Sequence, residues 1–177
     1  TFLPEACDPM PWDLDDLERY ERWLACPRGR YALAQEFRLL ESLMASWPRR
    51  GRTLLEIGCG PGVFLEFFHH AGYDVTGLDK SPVMAHAARS RLGSRAEVNL
   101  GDCTALPYED NQFDVAALLT VLEFVPDPVA ALREAVRVAR SAVLVGYLNS
   151  WSIYRFVRSR HSVVSRGQWF SPWRMHA

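Results

Sequence analysis

Lysine is nearly missing from this chain: Lys80 stands alone beside 19 arginines, an imbalance we read as codon usage rather than chemistry. Cysteine is sparse and scattered. Cys7, Cys26, Cys59 and Cys103 include no C-x-x-C pair, and no histidine cluster accompanies them. That excludes a disulfide framework and a zinc site, and suits reduced thiols in a cytoplasmic protein. Long apolar runs are lacking too. The longest, Val115 to Leu119, has five residues, where a bilayer span needs roughly 20. No secretory leader is read, and no membrane role is expected. Acid is missing from one end: residues 135–177 hold seven arginines and no carboxylate, a balance of +7. Residues 1–134 carry 21 acids against 13 bases, so the whole chain comes to −1. That balance argues against a general nucleic-acid binder. The basic end reads either as a lid over an anionic ligand or as a solvated helix face.

What is there suits one α/β domain. The chain has 177 residues, 49% of them apolar and 23% charged, ordinary values for a globular protein with a sizeable core. The first 45 or so residues are expected to be helical. Asp13 is placed to cap a helix with an acidic first turn, Pro27-Arg28-Gly29 to break it, and Tyr31 to Trp47 to resume it with Leu33, Phe37, Leu40 and Met44 on one face. Strands are then expected over 53–57, 74–78, 96–100, 113–119 and 142–148. They alternate with helices over 63–70, 82–92 and 128–139, with Ser81 and Asp127 as starts. This alternation predicts a doubly wound, mostly parallel, Rossmann-like sheet in an α/β/α sandwich with a helical N-terminal cap. The expected divisions are a cap over 1–50, a cofactor-binding core over 51–150 and a lid or substrate segment over 151–177. Ser171-Pro172-Trp173 reads as one more helix start close to the end, so further strands are expected in a longer chain.

The chemistry concentrates where the strands end. Leu54-Leu55-Glu56-Ile57 runs into Gly58-Cys59-Gly60-Pro61-Gly62 and then an amphipathic stretch, with Asp79 seventeen residues after Gly62. That is a strand, a tight turn and a helix start. Glycine permits positive φ, and the helix N-terminus offers N–H groups to a ligand. Asp79 falls at the end of the next strand, where a carboxylate can accept from ribose hydroxyls. Glu56 suits either a cationic ligand group or bracing of the loop. After the third strand, Asp102 can accept from an adenine amine, with Cys103 and Leu106 beside the ring; its alternative is a plain turn residue. Thr120 follows the fourth strand, beside the reactive end of a bound cofactor. The pattern reads as a nucleoside-cofactor binder.

The four runs Leu54 to Gly62, Val75 to Pro82, Gly101 to Pro107, and Asn111 to Ala116 leading to Val125-Pro126-Asp127-Pro128 carry a resemblance. Together they resemble the class I S-adenosylmethionine-dependent methyltransferases, most closely the type 11 small-molecule group, over more than half the chain. Tyr20-Glu21-Arg22-Trp23 and Pro27 to Tyr31 are similar to the helical cap of some members. The resemblance implies an enzyme that transfers a methyl group from S-adenosylmethionine to a small-molecule acceptor by in-line displacement, releasing S-adenosylhomocysteine. It implies that Glu56, Gly58 and Gly60 hold the methionine part, with Cys59 and Gly62 also among the cofactor-binding residues, and that Asp79, with Lys80 and Ser81, binds the ribose. Asp102 and Cys103 would meet the adenine, and Thr120 would sit near the methionine end. Many members carry a histidine where this chain has Phe124, so no base is assigned. Glu123, Tyr31, Tyr147, Tyr154 and His161 are the weighed candidates. Two rivals remain open: a binding protein for the same cofactor without turnover, and a nicotinamide-dependent oxidoreductase. The latter expects G-x-G-x-x-G, whereas here the third glycine comes one residue sooner. No metal is expected.

Overall fold

A computed structural model describes residues 12–149 and 167–171. Its centre is a five-stranded sheet in the order β3-β2-β1-β4-β5, with every neighbouring pair parallel. The strands are β1 (Thr53–Ile57), β2 (Asp74–Asp79), β3 (Ala96–Leu100), β4 (Phe113–Leu119) and β5 (Ala139–Gly146). Helices α3 (Val63–His70), α4 (Pro82–Leu92) and α5 (Pro128–Val138) connect them, after a cap of α1 (Leu14–Ala25) and α2 (Pro27–Leu43). The reversal of strand order between β1 and β4 opens the crevice at which such sheets bind ligands.

Side-chain alternation decides which layer each strand residue serves. Leu54, Val75, Val98, Val115 and Ala117 face one core with Leu65 and Phe68 of α3 and Ala85, Ala88 and Leu92 of α4. Leu55, Ile57, Leu78, Ala116 and Leu118 face the other with Ala131, Ala135 and Val138 of α5. β1 and β4 are apolar on both sides because both sides are covered. The cap joins the first core through Phe37, stacked on Phe67 at 4.5 Å and edge-on to Phe64 at 5.7 Å.

Three helix starts follow the sequence signals. Asp13 closes a capping box with Asp16, Ser81 Oγ accepts from Met84 N, and Asp127 accepts from Ala130 N. Several boundaries differ: α2 ends at Leu43 rather than Trp47, β5 ends at Gly146 rather than Leu148, and two starts move. The first helix does break at this point, after Ala25, but the second resumes at once, with Pro27 rather than Tyr31 as the first residue of α2. The missing N–H of proline costs nothing there, and Cys26 Sγ accepts from Gly29 N at 3.3 Å. β5 begins at Ala139 rather than 142, because it pairs β4 from Phe113 onward across a bulge between Phe113 and Val115. Arg137 and Arg140 of the basic end are not part of a lid. Arg137 pairs with Glu134 and Asp110, and Arg140 with Asp114. Residues 150–166 and Pro172-Trp173, including Trp151, Tyr154 and His161, lie outside the described residues.

Candidate active site at the strand ends

The glycine loop is latched to the end of β2. Gly58 N and Cys59 N donate to the Leu78 carbonyl at 2.7 and 3.0 Å, and Gly60 N donates to Asp79 Oδ2 at 2.8 Å. Gly58, Gly60 and Gly62 all have positive φ, +72°, +51° and +80°, the region glycine enters without strain. Their surroundings differ. A Cβ on Gly60 would meet nothing within 4 Å, so the loop is open to a ligand there. A Cβ on Gly62 would lie 2.7 Å from Leu92 Cδ1, so Gly62 lets α3 approach α4. Cys59 turns its thiol into the core, where burial pushes its pKa up, so only its backbone faces the loop. α3 starts without a side-chain cap, which leaves its first N–H groups for a ligand or solvent.

Two carboxyls stand beneath this loop. Asp79 is buried and accepts from Gly60 N and Ser81 N, each at 2.8 Å. Burial raises its pKa against these hydrogen bonds, which lower it. Each oxygen retains lone-pair capacity for a hydroxyl donor. Glu56, near the end of β1, is 2% exposed, and its Oε2 has no hydrogen-bond partner. Burial, then the Asp79 charge, drives its carboxyl well above the ordinary range. It does not brace the loop, the alternative its position in the sequence allowed.

Lys80 and Asp102 pair with each other, Nζ to Oδ2 at 3.0 Å, tying the loop after β2 to the loop after β3. Asp102 Oδ1 also accepts from Thr104 N and Thr104 Oγ1, at 2.9 and 2.7 Å. The Thr104 bonds foremost hold the Asp102 pKa at about 2. Cys103 beside it is partly buried, its thiol pushed up to about 11 by burial and then by Asp102.

The turn after β4 forms the opposite wall. Thr120 is exposed and held at φ +58°, with its N–H on the Gly146 carbonyl at 2.8 Å. Positive φ at a β-branched residue is a strained geometry. Val121 packs over Gly58. Glu123 is 1% exposed. Its Oε1 accepts from Leu148 N, its carbonyl accepts from Gln168 N at 2.9 Å, and its Oε2 is unpartnered. Burial raises its pKa. Phe124 meets Trp12 edge-on at 5.1 Å. Tyr31 is 68% exposed on α2 and stays with the cap.

Reading the sequence missed Arg91 in this region and gave Tyr20 only a place in the cap. Arg91 of α4 donates to the Pro61 carbonyl at 2.8 Å and reaches Glu21 of α1 at 3.8 Å. Tyr20 of α1 sits in the same electrostatic neighbourhood as Glu56 and Arg91. The Asp16–Tyr20–Trp23 spacing was the available signal for an inward stripe on α1. A separate cavity of about 380 Å³ runs along α3 beneath the cap, lined by Leu24, Leu33, Phe37, Val63 and Phe67 among others. Among the described residues no three or more His, Cys, Asp or Glu side chains gather as a metal site.

The pattern described as methyltransferase domain matches residues 55–145, just over half the chain. The chain belongs to this family, and its fold is that of the class I S-adenosylmethionine-dependent methyltransferases. It is 42% identical over 97 residues to an uncharacterized 37.1 kDa protein in a transposon of Streptomyces fradiae, covering 52% of this chain and 28% of that protein. To a ubiquinone biosynthesis O-methyltransferase of Pseudomonas paraeruginosa it is 35% identical over 94 residues, covering 51% of this chain and 40% of the enzyme. Among solved structures, a methyltransferase of Thermotoga maritima, described as S-adenosylmethionine-dependent and a possible histamine N-methyltransferase, superposes with a TM-score of 0.72. That match has 27% identity and covers 90% of this chain and 73% of that one. The chain spans less than half the length of these two curated relatives.

Proposed function

We propose that this chain is the cofactor-binding, methyl-transferring part of an S-adenosylmethionine-dependent enzyme acting on a small molecule in the cytoplasm. The observation that carries the reading is Glu56, a buried carboxyl with an unpartnered oxygen beside an open glycine loop. A buried carboxyl without a partner is costly, and a cationic ligand group relieves that cost. Asp79 at the next strand end supplies the acceptor that a ribose diol needs. Among the described residues no helix is long and apolar enough to cross a membrane.

In this reading Glu56, Gly58, Gly60 and the start of α3 hold the methionine part, with Cys59 and Gly62 shaping the loop from behind. Asp79 binds the ribose, and Lys80 and Asp102 act as one ion pair at the adenine edge, with Cys103 against the ring. Thr120 borders the reacting end. The cofactor, when bound, supplies the electrophilic methyl group. The protein aligns the acceptor in line with it and excludes water. The divisions that go with this are a cap over 1–50, a core over 51–150 and an acceptor-side segment over 151–177.

Calorimetric titration with S-adenosylhomocysteine and, separately, NAD tests the reading on the wild type and Asp79→Ala. Micromolar binding of the first alone, weakened at least about tenfold in the variant, is expected from loss of a charge-assisted bidentate contact. Binding of NAD instead overturns it. An acceptor screen with labelled cofactor then separates an enzyme from a binding protein without turnover.

A further inference from the structure

We propose that the cavity between the cap and α3 is a second ligand site, apart from the crevice, and that it takes an uncharged aromatic small molecule. The site does not depend on which cofactor the crevice holds.

Two pairs of side chains, each pair one helical turn apart, make its walls. Leu33 and Phe37 come from α2, and Val63 and Phe67 from α3. Residues four apart share one face of a helix. Phe37 and Phe67 meet ring to ring at 4.5 Å. Leu33 and Val63, one turn before each, are shorter, and Leu24 of α1 adds a wall from the other cap helix. Val63 is buried, while Leu24, Leu33, Phe37 and Phe67 are partly exposed, so the space is reached from solvent. It measures about 380 Å³. Voids in a packed interior seldom exceed one water, roughly 30 Å³ of liquid. Small-molecule pockets run from roughly 300 to 1,000 Å³. The space is therefore of ligand size rather than a packing defect. Glu56, Asp79 and Thr120 of the crevice do not line it.

The polar groups that line it decide the charge of the occupant. Arg91 Nε donates to the Pro61 carbonyl at 2.8 Å, and its other nitrogens lie 3.8 Å from Glu21 and 4.0 Å from Glu66. Glu66 also lies 3.2 Å from Arg95. Two guanidinium groups thus offset two carboxylates. A charged ligand would lose its hydration there without gaining an uncommitted counter-charge. An uncharged one leaves the set intact. The two phenylalanine rings favour an aromatic occupant over an aliphatic one, through edge-to-face or offset contacts. His70, exposed in the last turn of α3, also lines the cavity and suits a single neutral hydroxyl or amine on the ligand.

The probe is N-phenyl-1-naphthylamine, an uncharged dye that fluoresces in apolar surroundings. It is titrated into the wild type, Leu33→Trp, Leu24→Trp and Leu39→Trp. Leu39 is 60% exposed on α2 and does not line the cavity, so its variant makes the same change without filling the space. The wild type should bind one dye per chain, saturably. Leu33→Trp and Leu24→Trp should each weaken binding at least about tenfold by occupying the space. Leu39→Trp should stay within about twofold. The charged analogue 1-anilinonaphthalene-8-sulfonate should bind the wild type at least about tenfold more weakly than the neutral dye. Urea unfolding checks the fold of each variant, and if one filling variant is unfolded the other decides. Binding that does not saturate, an equal effect of all three tryptophans, or equal affinity for the charged and neutral dyes overturns the proposal. So does displacement of the dye by excess S-adenosylhomocysteine, which would put it in the crevice. Loss of dye binding as the chain dimerises overturns it as well and gives this face to a second copy.

Discussion

Gly58 and Val121 occupy one another's space: a Cβ built on Gly58 would lie 2.6 Å from Val121 Cγ2 and 3.0 Å from Cγ1. The contact joins the loop after β1 to the turn after β4, the two walls of the crevice. The glycine is therefore held by two independent constraints, its φ of +72° and its neighbour. On the Gly60 side of the loop a Cβ would meet nothing within 4 Å, so that side is open.

Gly58→Ala should destabilise the protein by about 2–3 kcal/mol, from positive φ plus overpacking. Adding Val121→Ala should restore part of this by removing the steric component and leave the backbone component in place. Urea denaturation of the two single variants and the double variant measures the coupling. Purely additive losses would show that the contact does not govern the cost.

The raised carboxyls give the unliganded protein a pH dependence of defined sign. Glu56 titrates well above its ordinary value of 4.5, and Asp79 and Glu123 are raised as well. Between the unfolded and folded pKa values the folded chain holds the extra protons. Stability is therefore fully present below the unfolded pKa and falls as pH rises through the folded ones. Glu56→Gln should flatten part of this slope above pH 4.5 while weakening S-adenosylhomocysteine at least about tenfold. Urea midpoints from pH 4 to 8 check the slope, and calorimetry checks the affinity. An unchanged slope would place the titration elsewhere.

The corner between the cap helices depends on Gly29. A Cβ there would lie 1.9 Å from the Trp23 carbonyl oxygen, which is backbone and cannot rotate away. Gly29→Ala should cost about 1–3 kcal/mol and loosen α1, seen as faster amide exchange over 14–25, with the sheet unaffected. Exchange that stayed slow over 14–25 would mean that α2 absorbs the strain instead.

Much of the frame was legible because it rests on short-range signals. β1 and β4 are bounded by turn residues and read as largely apolar stretches, β3 alternates apolar with polar residues, and α3 and α4 start and stop at Gly62, Ser81 and Gly93. The missed boundaries are those where a partner decides. β5 is lengthened by its pairing with β4, and α2 starts early because Cys26 supplies a sulfur acceptor that propensity does not anticipate. The site divides in the same way. That Asp79 and the glycine run lie together follows from a strand-helix-strand unit of ordinary length.

The amino-acid sequence alone determined the layered architecture, the place of the crevice and the family, because periodicity, glycine and caps act within a few residues of one another. Only the tertiary structure decided what each polar group has as its partner. It paired Lys80 with Asp102, committed Arg91 to Pro61 and Glu21, left an oxygen of Glu56 and of Glu123 without one, and set Tyr20 in the field of Glu56. Those relationships join residues 22 to 70 positions apart, or are absences, and burial and through-space charge arise only once the layers have packed.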